Sequence, residues 1–217
     1  MTANQGTGTV QQASLFVYGK LPVDLFVIDG MASFGLNTTS TNRVDVTGYS
    51  GGFNQKNVSG HDALVSVGVS RPFDMDAFRL TPYVRATWQM VNQSSFNEGT
   101  SPAALSVDSF NGNGIRGVIG VALGSKTMNP LDEKFTYRIN VGVGMDSSSL
   151  INPTLNATLA GMPTTITTPK AGTAFAQIGL FGTMKFADNA YAFAGIGGEF
   201  RNGSSLASVN AGVRILF

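Results

Sequence analysis

The side chains that could do chemistry are few, and their spacing does not suit catalysis. His61 is the only histidine and there is no cysteine, so neither a thiol nucleophile nor a His/Cys metal site can form. Ser204 and Ser205 have no base nearby in sequence, and the carboxylates Asp132 and Glu133 fall on a predicted turn. We therefore predict no catalytic residues, no bound metal and no cofactor.

Charged residues at alternating positions are the nearest approach to a functional site. If the strand registers inferred below hold, a first group faces a polar interior: Asp29, Arg85, Arg116, Arg138, Glu199 and Arg214. The same face takes a second group: Arg79, Lys134, Asp146, Lys185 and Arg201. An interior with charges of both signs is wet, as a translocation pore requires. The simpler interpretation is that these charges only pair with one another and solvate the interior.

The elements that must position these residues are β-strands, because the dominant sequence period is two. Residues 134–145 alternate without a break, with one apolar face: Phe135, Tyr137, Ile139, Val141, Val143 and Met145. Such a stretch exceeds the usual soluble strand of about five or six residues and suits a tilted membrane strand of about 9–11 residues. Further stretches predict about nine strands in all: residues 13–21, 23–35, 61–73, 78–90, 113–126, 171–186, 190–201 and 206–217.

The predicted connections alternate in length. Long polar runs cover residues 36–60, 92–112 and 147–170, whereas the connections near residues 74–77, 128–132 and 187–189 are short. Short turns at one end and long loops at the other are typical of outer-membrane β-barrels, with the short side periplasmic. A soluble β-sandwich explains the alternation equally well. Strand length favours the membrane interpretation, as does a charged fraction of 12%, against roughly 25% in ordinary soluble domains.

Composition excludes other classes of function. A net charge of +1 without a Lys/Arg cluster argues against nucleic acid as a partner. No apolar run reaches the ~18 residues of a transmembrane helix. The first residues lack the basic start and apolar core of a signal peptide, so we expect the chain to be a mature piece or a fragment.

The last eight residues, NAGVRILF, resemble the C-terminal signal of bacterial outer-membrane β-barrels. The resemblance implies that Asn210, Gly212, Ile215 and Phe217 are read by the barrel-assembly machinery, and that the chain lies in the outer membrane against lipid and lipopolysaccharide. A terminal strand can be recognised by pairing with an exposed sheet edge, where backbone bonds give affinity and alternate side chains give specificity.

Several stretches, in this order, resemble the translocator domain of autotransporters, the type V secretion proteins: residues 15–20 (LFVYGK), 26–35 (FVIDGMASFG), 80–85 (LTPYVR), 104–108 (ALSVD) and 191–200 (YAFAGIGGEF). The resemblance implies an antiparallel up-and-down transmembrane β-barrel of twelve strands, of which about the last nine are present. It also implies an N-terminal passenger, absent from this chain, that is exported to the cell surface.

We therefore predict an all-β fold with a polar N-terminal tail at residues 1–12 and an outer-membrane barrel at residues 13–217. The expected function is autotransporter translocation, without enzymatic activity. A small porin-like or adhesin barrel with ligand-binding surface loops is the alternative. An odd strand count leaves the N-terminus outside the cell with no way across, so we expect at least one further strand.

Overall fold

The computed structural model describes residues 7–43, 53–99, 104–127, 131–147, 152–167 and 171–215. All regular secondary structure in these ranges is β-strand. The strands are β1 (Thr7–Val23), β2 (Phe26–Arg43), β3 (Phe53–Ser70), β4 (Phe73–Asp74), β5 (Arg79–Gln93), β6 (Phe96–Asn97), β7 (Leu105–Val107), β8 (Phe110–Gly124), β9 (Phe135–Asp146), β10 (Thr154–Leu159), β11 (Met162–Thr167), β12 (Ala174–Ala187), β13 (Ala190–Arg201) and β14 (Ser204–Ile215). In these ranges no helix is long and apolar enough to cross a membrane.

Nine long strands form one antiparallel sheet in chain order, β1-β2-β3-β5-β8-β9-β12-β13-β14, and the short strand β4 adds to β5. Each long strand pairs with the next along the chain, which is the up-and-down arrangement that the alternation predicts. The all-β antiparallel fold with about nine long strands is thereby confirmed. Among the described residues, β1 and β14 each pair with one neighbour and form the two edges of the sheet.

The two faces of the sheet differ as the alternation predicts. On β9 the side chains of Phe135, Ile139, Val141, Val143 and Met145 are exposed on one face. On the opposite face Thr136 and Asp146 are buried. Large apolar side chains therefore lie outside and polar ones inside, the reverse of a soluble domain. No large side chain of the described residues is completely buried, so the sheet does not close around an apolar core.

The strands run further into polar sequence than predicted. β1 begins at Thr7, so residues 7–12 belong to the sheet and not to a tail. β2 extends to Arg43 and β3 begins at Phe53, so the predicted loop at 36–60 is wrong over most of its length. The physical reason is that pairing uses backbone N–H and C=O groups, which polar residues carry as well as apolar ones. Thr38, for example, pairs with Gln11 on one side and Ser59 on the other.

A second sheet arises where the sequence pattern predicts only loops, at 92–112 and 147–170. It has the strand order β11-β10-β7-β6. β10 and β11 form a hairpin whose turn contains Ala160 and Gly161, with φ angles of 53° and 78°. Two consecutive positive φ angles are the signature of the tight type I′ hairpin turn. The long connections on this side of the main sheet therefore carry ordered structure of their own.

Candidate functional site on the concave face of the sheet

The polar face of the main sheet is concave and encloses a cavity of about 660 Å³. Four of the six charged residues predicted for the interior line it, namely Asp29, Arg85, Arg116 and Arg138. Glu199 reaches the same face, because its carboxylate accepts a 3.0 Å hydrogen bond from Arg116 Nη1. Cross-strand register therefore brings distant parts of the chain together on the concave face of the main sheet, which we call the wall.

One cluster on this wall joins β2, β3 and β5. Arg85 forms an ion pair with Asp29, and its Nη1 donates a 2.9 Å hydrogen bond to Ser66 Oγ. The hydroxyls of Ser66 and Thr87 share a further bond of 2.9 Å. Gly68 lies between the ion-paired residues, and a Cβ there would fall 2.8 Å from Arg85 Nη2 and 2.9 Å from Asp29 Oδ1. The missing side chain lets the ion pair span a whole strand.

A second cluster lies toward the long loops and contains two arginines and two carboxylates. Arg116 donates two hydrogen bonds to the Asp146 carboxylate, from Nε to Oδ1 at 2.7 Å and from Nη2 to Oδ2 at 2.8 Å. Arg201 Nη2 donates to Asp146 Oδ2 at 2.9 Å, and Arg201 Nε donates to Glu199 Oε1 at 3.0 Å. The Asp146 side chain is only 3% exposed. Its charge is therefore compensated by both guanidinium groups, and such bidentate pairs are the strong, geometrically specific ones.

Phe175 lies inside this second cluster and was not predicted as part of it. Its ring centre is 4.5 Å from Arg116 Cζ and 5.0 Å from Arg201 Cζ, and the residue is 4% exposed. Guanidinium groups at these distances are attracted to the face of an aromatic ring. The signal that could have found it is parity, because Phe175 is two residues from Gln177 and so lies on the same, polar face of β12.

Tyr83 shows how strongly the sheet curves. Its hydroxyl accepts a 3.2 Å hydrogen bond from Gln177 Nε2, although β8 and β9 lie between their strands. Gly120 and Gly142 occupy the intervening register positions. A Cβ on either glycine would fall 2.6 Å and 3.1 Å, respectively, from Tyr83 Oη. Because neither glycine has a side chain, the Tyr83 phenol has the space to lie across β8 and β9 and reach Gln177.

Arg138 and Arg214 differ from the other candidates. Arg138 lines the cavity, and in the described part of the chain it has no carboxylate partner. Arg214 of β14 is exposed and interacts with the phenol groups of Tyr191 and Tyr18. Tyr18 belongs to β1, so the electrostatic surroundings of Arg214 include a side chain from the opposite edge strand.

One ion pair lies at the short-turn end of the sheet. Arg79 Nε is 2.5 Å from Oδ1 of Asp74, which belongs to the two-residue strand β4 outside the long strands. The hydrogen bond from Arg79 lowers the pKa of the Asp74 carboxyl below its ordinary value. The pair therefore contributes stability at neutral pH, which is lost only as the pH falls through that lowered pKa.

The residues of the predicted terminal signal divide between the faces of β14. Asn210 and Gly212 pair with Gly195 and Phe193 on the concave side. Ile215 points to the opposite face and is 52% exposed. Phe217 lies outside the described residues. β14 is an edge strand, so one side of its backbone has no partner strand within the described chain.

Among the described residues, the concave face offers charged and hydrogen-bonding side chains. No group of three or more His, Cys, Asp or Glu within the described ranges could hold a metal ion. His61, the single histidine, lies with its ring centre 6.2 Å from that of Phe34. A polar wall with paired charges of both signs can hold water and accommodate a solvated chain.

Comparison with known proteins agrees with this geometry. The family model described as "Autotransporter beta-domain" matches residues 1–197. Among solved structures, the chain is similar to the translocator domain of the autotransporter NalP from Neisseria meningitidis, with 20% sequence identity and a TM-score of 0.70. That match covers 99% of this chain and 68% of that chain, and at this identity it shows a shared fold. No curated protein matches the chain significantly.

Proposed function

This chain belongs to the autotransporter β-domain family, and from that membership we propose that it is an outer-membrane translocator that supports export of an N-terminal passenger to the cell surface. The observation that carries the proposal is the inverted sheet: apolar side chains are exposed on the convex face, and ion-paired charges line the concave one. The family match does not favour a porin-like or adhesin barrel. Autotransporter translocators are transport barrels and not enzymes.

The convex face fits lipid. Exposed aliphatic side chains on this face lie next to one another on neighbouring strands. Val121, Val141 and Ile178 form one continuous cross-strand row, and Ile119 and Val143 pair in the next row of β8 and β9. In water such a continuous apolar surface would drive aggregation or association. In the acyl region of the outer membrane it is the surface that lipid requires, with lipopolysaccharide above it.

The concave face fits a passage for a solvated polypeptide. The charged residues of this face would line the lumen: Asp29, Arg85, Arg116, Arg138 and Glu199. Water in the lumen would solvate these charges, so they would avoid the desolvation cost of facing lipid. Most of the charges are already held by partners along the wall, so they are fixed in position and present polar groups to whatever passes.

The terminal strand supports recognition by the barrel-assembly machinery. Within the described part of the chain, one backbone edge of β14 has no partner strand, and the strand carries Asn210 and Gly212 on its inner face and Ile215 on its outer face. Pairing of this edge with a strand of the machinery would satisfy the backbone groups, and the apolar side chains of the terminal octet, including Phe217, would give specificity.

We expect Phe217→Ala, in the full-length passenger protein, to lower both the heat-modifiable barrel in the outer membrane and the protease-accessible passenger on intact cells. Loss of a recognised aromatic anchor costs roughly 2 kcal/mol or more, about 30-fold in affinity. Phe200→Ala is the matched control, because Phe200 is an exposed aromatic on β13 outside the terminal octet.

The two readouts separate the parts of the proposal. Unchanged barrel levels in Phe217→Ala would show that the octet is not the assembly signal. A normal wild-type barrel whose passenger stays inaccessible to protease would show that this domain does not support export.

A further inference from the structure

The cavity on the concave face carries an excess of positive charge. Its lining includes five cations and one carboxylate: Lys20, Arg79, Arg85, Arg116, Arg138 and Asp29. The chain as a whole is almost neutral, with a net charge of +1. The positive lining is therefore a local property of this wall and not a reflection of overall composition.

Three of the five cations are already compensated. Arg85 pairs with Asp29, Arg116 with Asp146 and Glu199, and Arg79 with Asp74 at the turn end. Asp29, the only carboxylate in the lining, is therefore already paired with Arg85. The cavity therefore keeps whatever positive charge the remaining two cations supply.

Lys20 and Arg138 are those remaining two. Within the described ranges neither forms an ion pair with a carboxylate. The cross-strand neighbours of Arg138 are Gly124 and Phe181, which carry no charge. Lys20 lies opposite Asp29, but the carboxylate of Asp29 is engaged by Arg85.

We propose that the interior of this barrel conducts small anions in preference to small cations, with Lys20 and Arg138 as the residues that set the preference. Charged side chains on a pore wall select ions of the opposite sign, and Lys or Arg linings favour anions. Asn140 and Gln177 in the same lining carry amide N–H groups that can donate to a passing anion. This ion selectivity goes beyond passenger export and needs no passenger.

The preference should be modest and dependent on salt. A unit charge about 4 Å from a passing ion changes its relative population about fivefold in water. Screening shortens the reach of the charge from about 10 Å at 0.1 M salt to about 3 Å at 1 M. The selectivity should therefore be several-fold at low ionic strength and should approach unity at high ionic strength.

The test is the reversal potential of the purified, heat-modifiable protein in planar bilayers across a potassium chloride gradient. At low salt the wild type should give a chloride-to-potassium permeability ratio of several-fold, below the limit of about 25 that a fivefold gain for the anion and a fivefold loss for the cation would set. The double variant Lys20→Gln with Arg138→Gln should bring the ratio close to one, and the charge-conserving Arg138→Lys should retain it. Arg71→Gln is the matched control, because Arg71 packs on the rings of Phe26 and Phe73 and does not line the cavity.

Several results would overturn the proposal. They are a wild type without conductance, a wild type that favours potassium, and a double variant that keeps the anion preference. An equal loss of preference in Arg71→Gln would also overturn it, because the effect would then follow total charge and not the lumen wall. Failure of passenger export would leave this inference unaffected, because the recording contains no passenger.

Discussion

Replacement of Val141 by arginine is expected to prevent the chain from assembling stably in a membrane. Val141 lies in the middle of β9 on the convex face, where it is exposed and pairs with Val121 and Ile178. An arginine turned to lipid at mid-bilayer costs about 2–4 kcal/mol. The measurement is the midpoint of urea unfolding in lipid vesicles, together with the heat-modifiable fraction on gels.

The adjoining residue provides the matched control. Asn140 lies on the opposite face of β9 and lines the cavity, so Asn140→Arg adds the same charge to a wet wall. We expect Asn140→Arg to fold in vesicles with a small loss of stability. Equal damage by both substitutions, or greater damage at Asn140, would contradict the assignment of the convex face to lipid.

Replacement of Asp146 by asparagine is expected to destabilise the barrel by about 3–5 kcal/mol, the cost of removing one partner from a buried ion pair. The Asp146 carboxylate accepts from both Arg116 and Arg201, and a neutral amide would leave these two guanidinium groups around the Phe175 ring to share the single carboxylate of Glu199. The free energy of unfolding in vesicles or detergent micelles measures this loss.

Asp188→Asn is the control for Asp146→Asn. Asp188 forms an ion pair of 3.1 Å with Lys185, but its side chain is fully exposed at a short turn. Exposed pairs contribute about 0–1 kcal/mol, so the control should unfold almost as the wild type does. If the two variants lost the same free energy, the four-charge cluster would not be a stabilising feature of the wall.

Sequence alternation was sufficient to predict the strands that position these residues. β9 was predicted at residues 134–145 and lies at Phe135–Asp146, with its apolar residues on the predicted face. β14 was predicted to begin at residue 206 and begins at Ser204. These strands could be predicted because one face of each is apolar and the other polar. The residues therefore alternate between apolar and polar with the period of two that a strand has.

Three features of the structure could not be predicted from the alternation of apolar and polar residues. The polar ends of β2 and β3 carry no apolar face, so nothing in their side chains distinguishes a paired strand from a loop. The second sheet depends on pairing between two loops that are distant in sequence, β7 with β10. Phe175 is an aromatic residue on the polar face, and its role depends on two arginines from other strands, which register alone brings together.

The most direct test of the two-faced wall uses single cysteines, because the natural chain contains none. Four variants sample adjacent residues of two strands: Asn140→Cys and Val141→Cys on β9, and Gln177→Cys and Ile178→Cys on β12. With the protein in outer membranes, a water-soluble maleimide should label the cysteines at 140 and 177, and a lipid-soluble one those at 141 and 178. Equal labelling of neighbours by either reagent, or the reverse pattern, would contradict a barrel with a wet interior and a lipid-facing exterior.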